Sequence, residues 1–224
     1  MASIIESIHQ HAQDPQHDLV DLLTRGIFAA TALRESRFRA WLTCERDGYQ
    51  PDQAIPLYRK GSDAVLLAWR PGLGWIEAPI SEGQRKQVST YALSAGIPAL
   101  LEDYAEMLKK GGRRRTLSPE EQAAMAKLTN LDTELCQVIP AAVVTHAVLT
   151  ARFGILKWSE ALLEAGVRGQ GSSFTAEERA TATAVGGRFD ELLAQAEEMA
   201  SASVVRQGSK QPGFLSRLLG RASA

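Results

Sequence analysis

The residue types that most often do chemistry are few and scattered in this chain. Its only cysteines are Cys44 and Cys136, and its histidines are His9, His11, His17 and His146. Two cysteines so far apart make neither a disulfide framework nor a zinc site, and buried thiols in a reducing compartment are the expectation. His9 and His11 point about 200° apart on a helix, so they cannot share an ion. Residues 1–18 therefore read as a solvated amino-terminal segment. Cys136 and His146, on one predicted helix, are separated by about 15 Å along its axis and cannot act as nucleophile and base. His146 faces an apolar run and reads as a core histidine. Gly-x-Ser-x-Gly, HExxH, phosphate-loop and dinucleotide glycine patterns are missing. Gly169-Gln-Gly-Ser-Ser173 precedes a helix start, where backbone N–H groups can hold an anion, yet a plain loop is the stronger reading. No catalytic, cofactor-binding or metal-ligating residue is assigned, and a non-enzymatic role is expected.

Two stretches suggest binding. Lys109, Lys110, Arg113, Arg114 and Arg115 put five positive charges in seven residues around Gly111-Gly112. Such a segment attracts RNA, DNA or an acidic protein, although no helix-turn-helix, zinc module or aromatic ribonucleoprotein motif accompanies it. Its bland alternative is a solvated, flexible connection. The second stretch is the carboxyl-terminal tail. Phe214, Leu215, Leu218 and Leu219 form an apolar stripe at helical spacing, with Arg217 and Arg221 beside it. Residues 204–224 hold four cations and no acid. That is the pattern of a short amphipathic helix, which docks on its own domain, on a partner protein or weakly on an anionic membrane.

The elements that must position these residues follow from periodicity. Leu131, Leu135, Val138, Ala142, Leu149 and Phe153 recur at helical spacing, so 131–153 is expected to be the central buried helix, kinked or split at Pro140. Asp18 caps a long helix over about 19–43. Runs at 55–58, 64–69 and 74–78 suggest a small antiparallel meander. A type II turn at Arg70-Pro71-Gly72-Leu73 sets Trp69 opposite Gly74 and puts Val65, Leu67 and Trp69 on one face with Ile76 and Ala78. Capping signals at Ser81, Ser118 and Thr175 open further helices, the last running to about Val205 past Gly186-Gly187. Trp75 near the hairpin tip is a candidate recognition residue, with packing beneath a loop or helix the stronger alternative.

Composition sets the outer limits. At 224 residues the chain can bury a core without disulfides or metals. A formal net charge of −1 leaves nucleic acid or membrane binding to local patches. There is no signal-peptide pattern, and the longest uncharged run, 135–151, is too short and too polar to span a bilayer. Arginine outnumbers lysine 18 to 7, a bias common in GC-rich bacterial genomes. The expectation is a cytoplasmic α+β protein, mainly α, with a helical core and a three-stranded meander near 54–80. It divides into a mixed half (1–112), a helical half (116–205) and a linker with a basic tail (206–224). Its expected role is that of a bacterial accessory or regulatory protein acting by protein–protein contact through the tail. The alternatives are nucleic-acid binding through Lys109–Arg115, or an enzyme with an unfamiliar site.

Overall fold

The structure, a computed structural model, describes residues 3–171 and 173–208. In chain order its elements are α1 (Ile4–Gln13), α2 (Leu19–Leu33), α3 (Ser36–Asp47), β1 (Lys60–Gly61), β2 (Val65–Arg70), β3 (Gly74–Glu77), α4 (Glu82–Val88), β4 (Tyr91–Ala92), α5 (Ile97–Leu101), α6 (Tyr104–Lys110), β5 (Gly112–Thr116), α7 (Pro119–Thr129), β6 (Leu135–Pro140), α8 (Ala141–Glu164), α9 (Ala176–Gly186) and α10 (Phe189–Gly208). The fold is α+β and mainly α. Among the described residues, no helix is long and apolar enough to cross a membrane. The chain forms two compact units, each assembled from separated stretches. The first holds residues 1–54, 94–102 and 146–205; the second holds 55–93, 103–145 and the described residues from Arg206.

The first unit is helical. Ser3 and Glu6 close a capping box on α1, and Ile5, Ile8 and Ala12 are buried. The amino-terminal segment expected in solvent is thus a core helix, because its few apolar residues all fall on one face. The single helix expected over 19–43 is two. Arg34 adopts the left-handed conformation (φ 65°) and the Glu35 N–H reaches back to the Ala30 carbonyl at 2.8 Å, closing α2. The α2 and α3 helices then pack on each other. Phe38 of α3 stacks on the fully buried Trp158 of α8 at 5.1 Å and meets Phe189 edge-on at 4.9 Å. The expected long carboxyl-terminal helix also breaks, at Gly187 between α9 and α10. A Cβ on Gly186 would fall 2.0 Å from the Glu35 carboxylate, so only glycine allows this approach.

The second unit is built on an antiparallel four-stranded sheet in the order β3–β2–β6–β5, beside the short β1–β4 pair. The anticipated antiparallel sheet is present, with a different strand set. Of the four strands only β2 and β3 come from the 54–80 region, where Leu57–Arg59 is a 3-10 turn and Lys60–Gly61 pairs with β4 instead. The other two strands lie at 112–116 and 135–140, so the second half of the chain is not wholly helical. The predicted 131–153 helix is correspondingly corrected. Leu135 to Ile139 form the buried strand β6, Pro140 ends it, and α8 starts at Ala141 and runs unbroken through Gly154. Buried on both faces, β6 lacks the alternation that marks a strand.

The β2–β3 register also differs by one residue from expectation. The turn itself is as expected: the Leu73 N–H bonds the Arg70 carbonyl at 3.0 Å and Gly72 has φ 80°. Gly74, however, is also left-handed at φ 75°, so Arg70 pairs with Gly74 and Trp69 with Trp75. A one-residue slip exchanges the faces. Leu66, Ala68, Ala78 and Leu135 therefore form the side covered by Val88 of α4 and by Met125 and Ala126 of α7. Leu67, Cys136 and Val138 lie on the other side, with Trp75 and Val65 packed against them.

Candidate functional site

The five cations singled out in the sequence do not form one cluster. Lys109 and Lys110 end α6, where both pair with Glu106 at 3.2 and 3.6 Å, and left-handed Gly111 caps the helix. The Lys109 hydrogen bond and charge, with the Lys110 charge behind them, hold the Glu106 carboxyl below the usual range. Arg113, Arg114 and Arg115 are on strand β5, not in a flexible connection, because β5 pairs with β6 along its length. Alternation sends Arg113 and Arg115 to one face and Arg114 to the other. Arg115 donates from Nε and Nη2 to Gln137 Oε1 at 3.1 and 2.6 Å, and from Nη1 to Glu121 at 2.8 Å. Arg113 is engaged as well.

Gln137 organises this side and was not anticipated. It is fully buried in the middle of the sheet, and its Nε2 donates to the Val88 and Thr90 carbonyls at 2.6 and 3.2 Å. Both ends of its amide are therefore satisfied, which is what a polar group needs in a buried strand. Only the polar residue inside Leu-Cys-Gln-Val-Ile hinted at it.

Arg114 reaches over the opposite face. Its guanidinium lies 5.7 Å from the Trp75 ring centre, and Trp69 meets Trp75 edge-on at 5.6 Å. Two long side chains from β3 and β5 thus lie across Leu67, Cys136 and Val138. The cation–aromatic contact holds them there. Trp69 is 42% exposed and Leu73, at the hairpin tip, 66%. Trp75 is the candidate recognition residue near the hairpin tip. It packs on the apolar cluster and also carries the exposed Trp69 and Arg114. This face offers an aromatic and cationic contact surface.

The cysteine, histidine and loop candidates each have a structural setting among the described residues. Burial pushes the Cys136 thiol up to about 11, with Arg114 opposing and Glu134 reinforcing the shift, so no thiolate nucleophile forms at neutral pH. Cys136 is on a strand and His146 on α8, so the expected single helix does not carry both. His146 Nε2 lies 3.0 Å from Ser201 Oγ and 3.4 Å from the Glu197 carbonyl, tying α8 to α10. The expected core histidine is instead half-buried, and its partners are polar. The N–H groups of Arg168 and Gly169 donate to Glu178 Oε1 at 3.1 and 2.7 Å. The anion place imagined before α9 is filled by the helix's own capping acid. A cleft of about 320 Å³ beside α4 has an apolar floor that includes Val65, Leu66 and Ile80, and its charged lining residues are paired: Arg85 with Glu77, Lys86 with Glu82, and Asp63 with Tyr91. Among the described residues no group of three His, Cys, Asp or Glu side chains is placed to hold a metal ion. The tail stripe, Phe214, Leu215, Arg217, Leu218, Leu219 and Arg221, lies outside the described residues.

A family model described as AbiTii matches residues 3–186, most of the chain. No curated protein and no solved structure matches it.

Proposed function

This chain belongs to the AbiTii family, of the bacterial abortive-infection type, and from that premise we propose that it is a non-enzymatic accessory protein. It acts by contact with an acidic segment of another protein, using the face that carries Arg114, Trp75 and Trp69. The observation that supports this reading is the Arg114–Trp75 contact at 5.7 Å, with Trp69 and Leu73 exposed at its edge. Aromatic and arginine side chains together are the groups that most often anchor protein contacts, and a fixed guanidinium adds a preference for carboxylates. Trp75→Ala and Arg114→Glu, each checked for an unchanged melting profile, are expected to remove protection when cells bearing the native locus are challenged with phage. Full protection by both variants would end this reading.

One observation favours a second reading, in which the same chain binds single-stranded nucleic acid. Two neighbouring tryptophans beside an arginine also suit base stacking, and Lys109 to Arg115 are nearby in sequence. That reading requires an affinity for a short single strand that falls steeply with salt and disappears with Trp69→Ala and Arg114→Ala. Binding absent at low salt would eliminate it.

A further inference from the structure

The turn joining α1 to α2, residues 14–18, is held in an unusual way. Arg152 of α8 is buried, with a relative exposure of 8%, and donates to three backbone oxygens: from Nη1 to Asp14 at 2.7 Å and His11 at 3.4 Å, and from Nη2 to His17 at 2.6 Å. Three carbonyls around one guanidinium make the turn a ring about a cation. The His11 and His17 imidazoles stack face to face beside it, with centres 4.0 Å apart and planes 13° apart. His17 contacts Asp21 at 3.0 Å, and Arg25 contacts the same carboxylate at 2.7 Å. His11 Nδ1 is buried with no hydrogen-bond partner.

We propose that this turn is an acid-labile latch, in which protonation of His11, stacked on His17, releases the carboxyl-terminal end of α1. Protonated His11 would bury an N–H donor without an acceptor, press its charge on the His17 ring at stacking distance, and stand by Arg152 and Arg25. The acids facing the site are Asp14, Asp18 and Asp21, of which Asp21 already serves His17 and Arg25. Burial first, then His17 and Arg25, hold His11 below the ordinary histidine range. A depressed histidine stabilises the fold above its unfolded pKa, and that stabilisation is lost as pH falls through its folded value. The rest of α1 has other attachments. Ile5 and Ile8 are buried, His9 Nδ1 lies 3.3 Å from Ser159 Oγ, and Glu6 pairs with Arg168, so opening is confined to the turn and the last part of the helix.

Hydrogen exchange of the full chain, read by mass spectrometry at about pH 7.5 and about pH 5.5 and corrected for the chemical rate, tests the latch. Peptides over residues 9–18 are expected to exchange about fivefold faster at the lower pH, while those over α3 keep their protection. His11→Phe keeps a stacking ring that cannot titrate and should abolish the difference. His11→Gln serves the same purpose should the ring substitution not fold. Equal corrected protection of residues 9–18 at both pH values, or a wild-type acid response in the folded His11 variant, would overturn the proposal.

Discussion

Glu35 carries its carboxyl into the first unit against Gly186, with Oε2 unpartnered, and burial raises its pKa. The protonated form is favoured in the fold. Its stabilisation is therefore complete below the ordinary carboxyl range and is lost as pH rises through the folded value. Glu35→Gln is expected to raise the thermal midpoint near pH 8 by about 3 °C and to change little near pH 5. Melts across that range check it, and a uniform shift at all pH values would contradict the assignment. His11 acts in the opposite sense, so removing Glu35 should leave a steeper loss of stability on acidification. Gly186→Ala places a methyl 2.0 Å from a carboxylate oxygen and should destabilise by about 2 kcal/mol or more. Combined with Glu35→Ala, part of that loss should be recovered, which a double-mutant cycle in denaturant measures. None of this was legible beforehand. In the sequence Glu35 stands among Arg34, Arg37 and Arg39, and its burial follows from the left-handed Arg34, a conformation no sequence signal marked.

Elements with strong local chemistry were readable in the chain. The capping boxes at Ser81, Ser118 and Thr175 stand where their spacing placed them. In α7 the box has a second duty, since Glu121 caps the helix and also receives Arg115. Ser118→Ala should cost about 1 kcal/mol by chemical denaturation, and Glu121→Ala more, because it also removes one of the two partners of the Arg115 guanidinium on β5. What failed was the distinction between a buried strand and a buried helix. Residues 135–139 satisfy the helical spacing of 131–153 and the apolar run of a central strand equally well, and only Val138 and Ile139 leaned toward a strand. The turn at 70–73 was legible, whereas the extra left-handed Gly74 that sets the register was not. For that reason Trp75 was placed on the face opposite Trp69. Gln137→Leu should destabilise by about 3 kcal/mol, since it leaves Arg115 and two carbonyls without their buried partner. Urea unfolding with an unchanged m-value would confirm a loss of stability without a change of fold.

At the scale of the molecule, class and composition were readable, and the division into units is of another kind. Each unit draws on stretches distant in the chain, and pairings such as Leu67 with Cys136 have no local signature. The tail remains a proposal from sequence. A chain ending at residue 208 is expected to keep the full chain's melting midpoint within about 1 °C while losing a protein partner in a pull-down from the native host. Equal partner recovery with and without the tail would count against it. The β3–β2–β6–β5 order has a further consequence, for synthesis. When the β2–β3 hairpin is completed at Glu77, the inner partner of β2, which begins at Leu135, has not yet been made. Until Leu135–Pro140 arrives, Leu66 and Leu67 lack their neighbouring strand and offer a bare hydrogen-bonding edge to whatever else is nascent. A stalled or truncated message ending before residue 140 should therefore yield aggregates rather than a small folded fragment.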